Sequence, residues 1–213
     1  MGRHEIKEFR RIQLIEATID TVARRGFTDL TLGDVADAAK LSRGIVNFYF
    51  RSKEELLVET LRYMTGEYEK GWREALTHAG SDPVARLRVM IDGDFGPQTA
   101  SRKRVAVWYA FWGEARWRPE YLRICQDVAV QYRQETRALI TAIVDAGGHR
   151  DVDTDLVARG LNALIDGLWL DLLIDPRDVD RNVAKRCCYD YLAAHFPTEF
   201  GAIARDASRI AAA

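Results

Sequence analysis

The sequence predicts an all-α protein: an N-terminal three-helix head containing a helix-turn-helix and a larger C-terminal helical body, about nine helices in all. Three observations carry this. Apolar residues recur three or four positions apart along nearly the whole chain, and no long alternating run suggests a strand. Capping residues, glycines and prolines punctuate that pattern at helix-length intervals. With 47% hydrophobic and 30% charged residues, the 213-residue chain can fill a core and solvate its surface, which argues against disorder.

The first helix is expected from about Glu5 to Arg25, with Phe9, Ile12, Ile15, Ile19 and Val22 on one face and Gly26 as its stop. Thr31 and Asp34 form a capping box for a short helix reaching Ala39. Ser42 caps a second short helix to about Phe48, and Ser52 with Glu55 opens a long one towards Thr77. Asp82-Pro83 starts the next, because proline suits a first turn, and Gly96-Pro97 closes it. Further helices are expected at about 101–117, 119–146, 154–174 and 178–195. Pro119, Gly147-Gly148 and Asp175-Pro176 separate them, and His195-Phe196-Pro197 ends the last. The head is expected over residues 8–68, with its motif at about 31–50, and the body over residues 78–197.

Several functional classes are disfavoured. No Glu-x-x-His pair, nucleophile elbow or phosphate-binding glycine loop occurs, so neither an enzyme nor a cofactor is expected. Cys125 stands alone, Cys187 and Cys188 are adjacent, and the four histidines are scattered, so neither a disulfide framework nor a metal site is expected. No apolar run approaches the roughly 18 residues of a membrane span, and MGRHEIKEFRR has no apolar signal core. A cytoplasmic protein is therefore expected. The net charge of −1 hides an asymmetry. Residues 1–53 carry ten Lys/Arg against seven Asp/Glu, and residues 54–213 carry 21 against 25. A basic head on an acidic body suits a polyanion partner at the head.

The stretch TLGDVADAAKLSRGIVNFYFRSKEEL, residues 31–56, carries the sharpest chemistry. Two short helices joined by a tight turn at Ala39-Lys40-Leu41 form a helix-turn-helix, whose second helix enters a DNA major groove N-terminus first. Ser42 leaves amide donors at a helix start, where a phosphate binds. Gly44 permits close backbone approach. Arg43 can reach guanine or phosphate, and Asn47 offers both donor and acceptor to a base edge. Lys53 can contact phosphate. A small helical bundle with ordinary caps is the alternative reading of the spacing alone.

Residues 8–68 resemble the DNA-binding domain of the TetR family of bacterial repressors. The likeness rests on Ser42, Gly44, Phe48-Tyr49-Phe50, Lys53 and Leu56. It implies that Thr31, Ser42, Tyr49 and Lys53 hold phosphates, that Arg43, Gly44, Asn47 and Phe48 lie nearest the bases, and that Phe50 and Leu56 are core. Asn47 replaces the tyrosine common in the family, so the contact there should be polar and shorter. Arg3, His4 and Lys7 could form an arm over the DNA backbone or simply fray in solvent.

In the body, Trp108 and Trp112 are four apart on one helix face, and Asp166 and Trp169 are three apart on another helix. A quaternary ammonium group has no N–H to donate and is recognised by aromatic faces, often with carboxylates. Trp108, Trp112, Glu114, Asp166 and Trp169 supply those ingredients, although each tryptophan can equally be core. A buried Asp166 needs a partner, for which Arg104, Arg116 and Arg159 are candidates. Phe111 is expected in the core, Trp72 as packing, and Trp117 and Tyr109 facing elsewhere. The segments RRIQLIEAT, AFWGEA and ALIDGLWL resemble the choline-responsive branch of the family, which represses glycine-betaine synthesis genes. The resemblance implies a small-molecule effector, choline or a related quaternary amine, with another cation or an aromatic metabolite as the alternative. It also implies a homodimer paired through the helices at 154–174 and 178–195 and reading a palindromic DNA operator.

Overall fold

The structure is a computed structural model that describes residues 2–211 apart from Asp178; the side chains of Arg3 and of residues 208–211 lie outside the description. Among the described residues there are ten helices and no strand. They are α1 (Arg3–Arg25), α2 (Leu32–Ala39), α3 (Arg43–Tyr49), α4 (Lys53–His78), α5 (Pro83–Asp94), α6 (Arg102–Ala115), α7 (Pro119–Gly147), α8 (Thr154–Ile174), α9 (Arg181–His195) and α10 (Pro197–Ala211).

Local chemistry sets most of the boundaries. Gly26 ends α1 at φ 77° and donates its N–H to Val22 O at 2.8 Å. Thr31 Oγ1 accepts from Asp34 N, and the Asp34 carboxylate accepts from Thr31 N at 3.0 Å, closing the capping box of α2. Ser52 Oγ accepts from Glu55 N at 3.1 Å to open α4. Asp82, Asp153 and Asp180 cap α5, α8 and α9 through two backbone N–H groups each. The cap at Asp180 starts α9 three residues later than the sequence pattern suggested. Pro197 does not only stop α9: it occupies the first turn of α10, the helix that the count of nine missed. Phe196 and Phe200, both fully buried, anchor that helix.

The chain divides into two compact units. The first comprises residues 1–67 together with 106–126, so the end of α6 and the start of α7 fold with the head. Its core includes Ile15, Ile19, Val35, Val46, Phe50 and Leu56. A cluster of rings joins the loop after α1 to the α6–α7 segment: Phe27 meets Phe111 edge-on at 4.8 Å, and Phe111 meets Tyr121 at 5.4 Å. Phe111 and Tyr121 are fully buried. Phe9, expected on the packed face of α1, is instead 56% exposed. Cover on α1 begins further along, where Arg11 pairs with Glu59 and Gln13 Nε2 donates to Ala39 O at 2.9 Å.

The second unit comprises residues 68–105 and 127–213, with Leu87, Ile91, Ile140, Leu161 and Leu192 in its core. Helices α8 and α9 approach closely at Gly160, where a Cβ would stand 2.2 Å from Tyr191 Oη. The hydroxyl donates to Val157 O at 3.2 Å, so the glycine makes room for a ring that is itself tied to the α8 backbone. Among the described residues no helix is long and apolar enough to cross a membrane.

Candidate nucleic-acid interface and effector site

In the head, the turn between α2 and α3 is held by Lys40 in the left-handed conformation, φ 56° and ψ 41°, with Leu41 N donating to Ala36 O at 2.9 Å. Ser42 then caps α3, its Oγ accepting from Ile45 N at 3.4 Å. Val46 is fully buried and fixes the rotation of α3. That rotation leaves Ser42, Arg43, Gly44, Asn47 and Phe48 exposed. A Cβ at Gly44 would meet only Ser42 Oγ, at 3.8 Å, so the fold itself does not demand a glycine there. Phe48 is 75% exposed, an apolar spot between polar neighbours and suited to a thymine methyl. Tyr49 is half-buried and packs edge-on against Phe48 at 5.2 Å.

The other candidate phosphate ligands also serve the fold. Lys53 Nζ donates to Phe27 O at 2.7 Å and Thr28 O at 3.3 Å, leaving one of its three hydrogens for an external acceptor. Thr31 Oγ1 donates to Asp34 Oδ2 at 2.6 Å. That bond, the Thr31 backbone N–H and then Arg25 hold the Asp34 carboxyl below its ordinary range. The Arg43 guanidinium lies over Gly33, where a Cβ would come within 2.7 Å of Nη2. Of the proposed arm, His4 and Lys7 are exposed, while the Arg3 side chain lies outside the described residues.

The five body residues singled out from the sequence fall into two groups. Trp108, Trp112 and Glu114 belong to the first unit. There Trp108 is buried, and its ring lies 6.0 Å from that of Trp112. Tyr109 packs on Trp112 at 5.0 Å, whereas Trp117 is 74% exposed with Arg116 over its ring. Glu114 is bound by Arg118 at 3.1 Å, and Arg118 also pairs with Glu54.

Asp166 and Trp169 belong to the second unit, together with Trp72, expected as packing, and with Tyr68, Asp94 and Tyr132, to which the sequence assigns no role. Tyr68 and Trp72 come from α4, Asp94 from the end of α5 and Tyr132 from α7. The Asp94 side chain is only 1% exposed. Its carboxylate accepts hydrogen bonds from Tyr68 Oη at 2.8 Å and from Tyr132 Oη. Its backbone carbonyl accepts the Trp169 indole N–H at 3.1 Å. Around this acid the rings interlock: Tyr68 to Tyr132 at 5.6 Å, Tyr68 to Trp169 at 6.1 Å and Trp72 to Tyr132 at 6.0 Å.

Among the described residues, no lysine or arginine pairs with Asp94. Burial therefore raises its pKa to about 7; the two phenols pull it down and Asp166 pushes it further up. Asp166, on the exposed side of α8, is also raised by desolvation, with Arg133 of α7 opposing the rise. Both tyrosines are pushed well above their ordinary range, first by burial and then by the Asp94 charge. Among the described residues, the second unit thus holds a cluster of rings around one buried acid whose charge is met only by neutral donors. Among the described residues, no group of three or more His, Cys, Asp or Glu could hold a metal ion.

A helix-turn-helix head followed by a helical body with such an enclosure is the organisation of a one-component transcriptional regulator, and residues 14–60 match the family model of bacterial regulatory proteins of the tetR family. Residues 83–197 match the model described as BetI-type transcriptional repressor, C-terminal. The chain is 33% identical over 194 residues to the HTH-type transcriptional regulator BetI of Paraburkholderia xenovorans, covering 90% of this chain and 96% of that protein. It is 31% identical over 204 residues to BetI of Escherichia coli, covering 93% of this chain and 100% of that protein. A transcriptional regulator from Pseudomonas aeruginosa superposes with a TM-score of 0.77 at 26% identity, covering 88% of this chain and 90% of the other. A Saccharomonospora viridis regulator solved in complex with choline superposes with a TM-score of 0.75 at 23% identity, covering 87% and 96%. The chain belongs to the TetR family and, within it, to the BetI-type transcriptional repressors. Its relatives are transcriptional regulators, not enzymes.

Proposed function

We propose that this repressor acts as a cytoplasmic homodimer on palindromic operator DNA and is released by a quaternary ammonium effector of the choline type. The observation that carries the effector reading is Asp94: a buried acid held by Tyr68, Tyr132 and Trp169, with Trp72 packed on Tyr132 and no cation beside it among the described residues. A quaternary cation supplies the missing charge, needs no hydrogen bond in return, and is held by aromatic faces. Choline is the first candidate because the BetI relatives cover nearly the whole chain, and a protein of the same fold was solved with choline bound.

The rings pack closely, so the effector enters by parting them. Tyr68 and Trp72 lie on α4, the helix whose first turn carries Lys53. A cation that wedges α4 away from Tyr132 thereby favours a second arrangement of that helix. The effector must bind the DNA-incompetent arrangement better, or it shifts nothing; a coupling of about 1–3 kcal/mol is typical.

The dimer reading rests on α8. Leu156, Ala163, Gly167, Leu170 and Ile174 are exposed at alternating intervals of seven, four, three and four residues, forming an apolar ridge with small residues at its centre. Apart from the adjoining stretch of α8 itself, no atom of the described residues lies within 4 Å of where a Cβ at Gly167 would stand. Two such ridges can pack against each other closely, and a dimer presents two α3 helices to successive major grooves about 34–36 Å apart. At the DNA, Arg43, Gly44, Asn47 and Phe48 face the bases, while Ser42, Thr31, Tyr49 and Lys53 face phosphates.

Fluorescence anisotropy with operator DNA tests the whole scheme. Saturating choline should weaken operator binding by about fivefold to 150-fold; unchanged affinity would exclude choline as the inducer. Calorimetry with choline, betaine aldehyde and unrelated cations then ranks the effectors. Arg43→Ala and Asn47→Ala should weaken specific binding more than non-specific binding, and equal losses would remove their base-reading role.

A further inference from the structure

The two tryptophans of the enclosure are used in opposite ways. Trp169 has already spent its indole N–H on the Asp94 carbonyl, so what it can offer a ligand is its face. Trp72 is the reverse. The Arg73 guanidinium lies 4.4 Å above its ring and is fixed by Glu69 at 2.8 Å and Gln131 at 2.5 Å, so one indole face is already taken by a cation. Among the described residues its Nε1–H has no acceptor, although the residue is only 5% exposed. Buried donors are almost always satisfied, and an orphaned one is costly. The same enclosure therefore lacks two things at once: a positive charge for Asp94 and a hydrogen-bond acceptor for Trp72.

We infer that Trp72 is a specificity-determining residue whose indole N–H binds an acceptor oxygen on the effector. The site then takes a quaternary cation carrying a hydroxyl or carbonyl oxygen, in preference to a bare tetraalkylammonium ion. The inference rests on the effector reading above and sharpens it. Aromatic faces and a carboxylate recognise any quaternary ammonium group, whereas a buried donor rejects a ligand that leaves it unpaired.

The test is calorimetric titration of the full-length protein with choline and with trimethyl(propyl)ammonium, in which a methyl group replaces the hydroxyl. The wild-type protein should bind choline about tenfold more tightly, the effect of one buried hydrogen bond. Trp72→Phe keeps an aromatic ring and removes the donor, and should bring the two affinities to within about twofold. In ¹⁵N–¹H spectra of the wild-type protein, choline should shift the Trp72 indole resonance and the propyl compound should leave it nearly in place. This measurement needs a variant only for assignment. Equal wild-type affinities, or a preference that survives in Trp72→Phe, would overturn the role of Trp72 while leaving the site a cation site. If neither cation binds the wild-type protein at millimolar concentration, the effector reading itself falls.

Discussion

Replacing Asp94 by asparagine should abolish a specific part of the protein's pH dependence. The carboxyl is 1% exposed, and its pKa is raised from 3.8 to about 7 in the folded protein, chiefly by burial. Between those two values the folded state holds a proton that the unfolded chain has released. Stability contributed by this group therefore falls as pH rises, and the loss is complete above pH 7. The full gap corresponds to about 4 kcal/mol, of which about 3 kcal/mol falls between pH 5 and pH 8. Asparagine keeps the shape, and its amide can pair with the hydroxyls of Tyr68 and Tyr132, but it does not titrate. Urea unfolding of both proteins, followed by circular dichroism from pH 5 to 8 at one fixed concentration, isolates the effect as the difference between the two curves. Wild type should lose about 3 kcal/mol relative to Asp94→Asn across that range. A difference that stays flat within about 0.5 kcal/mol would show that the carboxylate pays no burial cost, and the argument for a missing cation would fail with it. The same linkage requires choline affinity in the wild-type protein to rise with pH through about 7.

Three further substitutions test the close contacts. Gly160→Ala should destabilise the protein by about 1–3 kcal/mol in urea unfolding, because its Cβ would stand 2.2 Å from Tyr191 Oη and 2.9 Å from Cζ. Adding Tyr191→Phe should recover part of that loss, and no recovery would mean that the hydroxyl is not the obstacle. Gly33→Ala should behave differently. Its Cβ meets the far end of the flexible Arg43 side chain, so stability should hold or rise by up to about 1 kcal/mol while operator affinity changes. A large drop in stability would contradict this. Lys53→Met should lower the salt slope of operator binding by about one and also lower the melting temperature, since Nζ holds the carbonyls of Phe27 and Thr28 and, in the proposed role, a phosphate as well. An unchanged slope would leave Lys53 a purely structural residue.

The contrast between head and body explains what the sequence made legible. The head is written locally: Thr31 with Asp34, Ser42 with Ile45 and Ser52 with Glu55 each bond across three residues, so spacing alone places α2, α3 and the start of α4. The enclosure is assembled from Tyr68, Asp94, Tyr132 and Trp169, on four different helices. No local pattern links them. One signal was nevertheless present. Leu87, Ile91 and Asp94 fall at positions i, i+4 and i+7, so Asp94 occupies a core position on α5, just where a leucine would be ordinary. Asp166 drew attention for that same reason, but it lies on the exposed side of α8. Phe9 failed in the other direction: its register on α1 is correct, but the helix extends beyond the elements that cover it.

Which acid serves a cation depends on what already compensates each one. Glu114 is bound by Arg118, so a ligand cation there would compete with a guanidinium already in place. Asp166 faces the field of Arg133 and is open to solvent. Among the described residues, the Asp94 carboxylate has only phenolic hydroxyls as partners, which bond to it without neutralising its charge. Compensation from outside is therefore most valuable at Asp94. The penalty of about 4 kcal/mol that this group imposes above pH 7 exceeds the 1–3 kcal/mol typical of coupling between two sites. Because Tyr68, one of the two phenols, lies on α4, the proposed effector would neutralise Asp94 and displace the helix that leads from the head in one binding event.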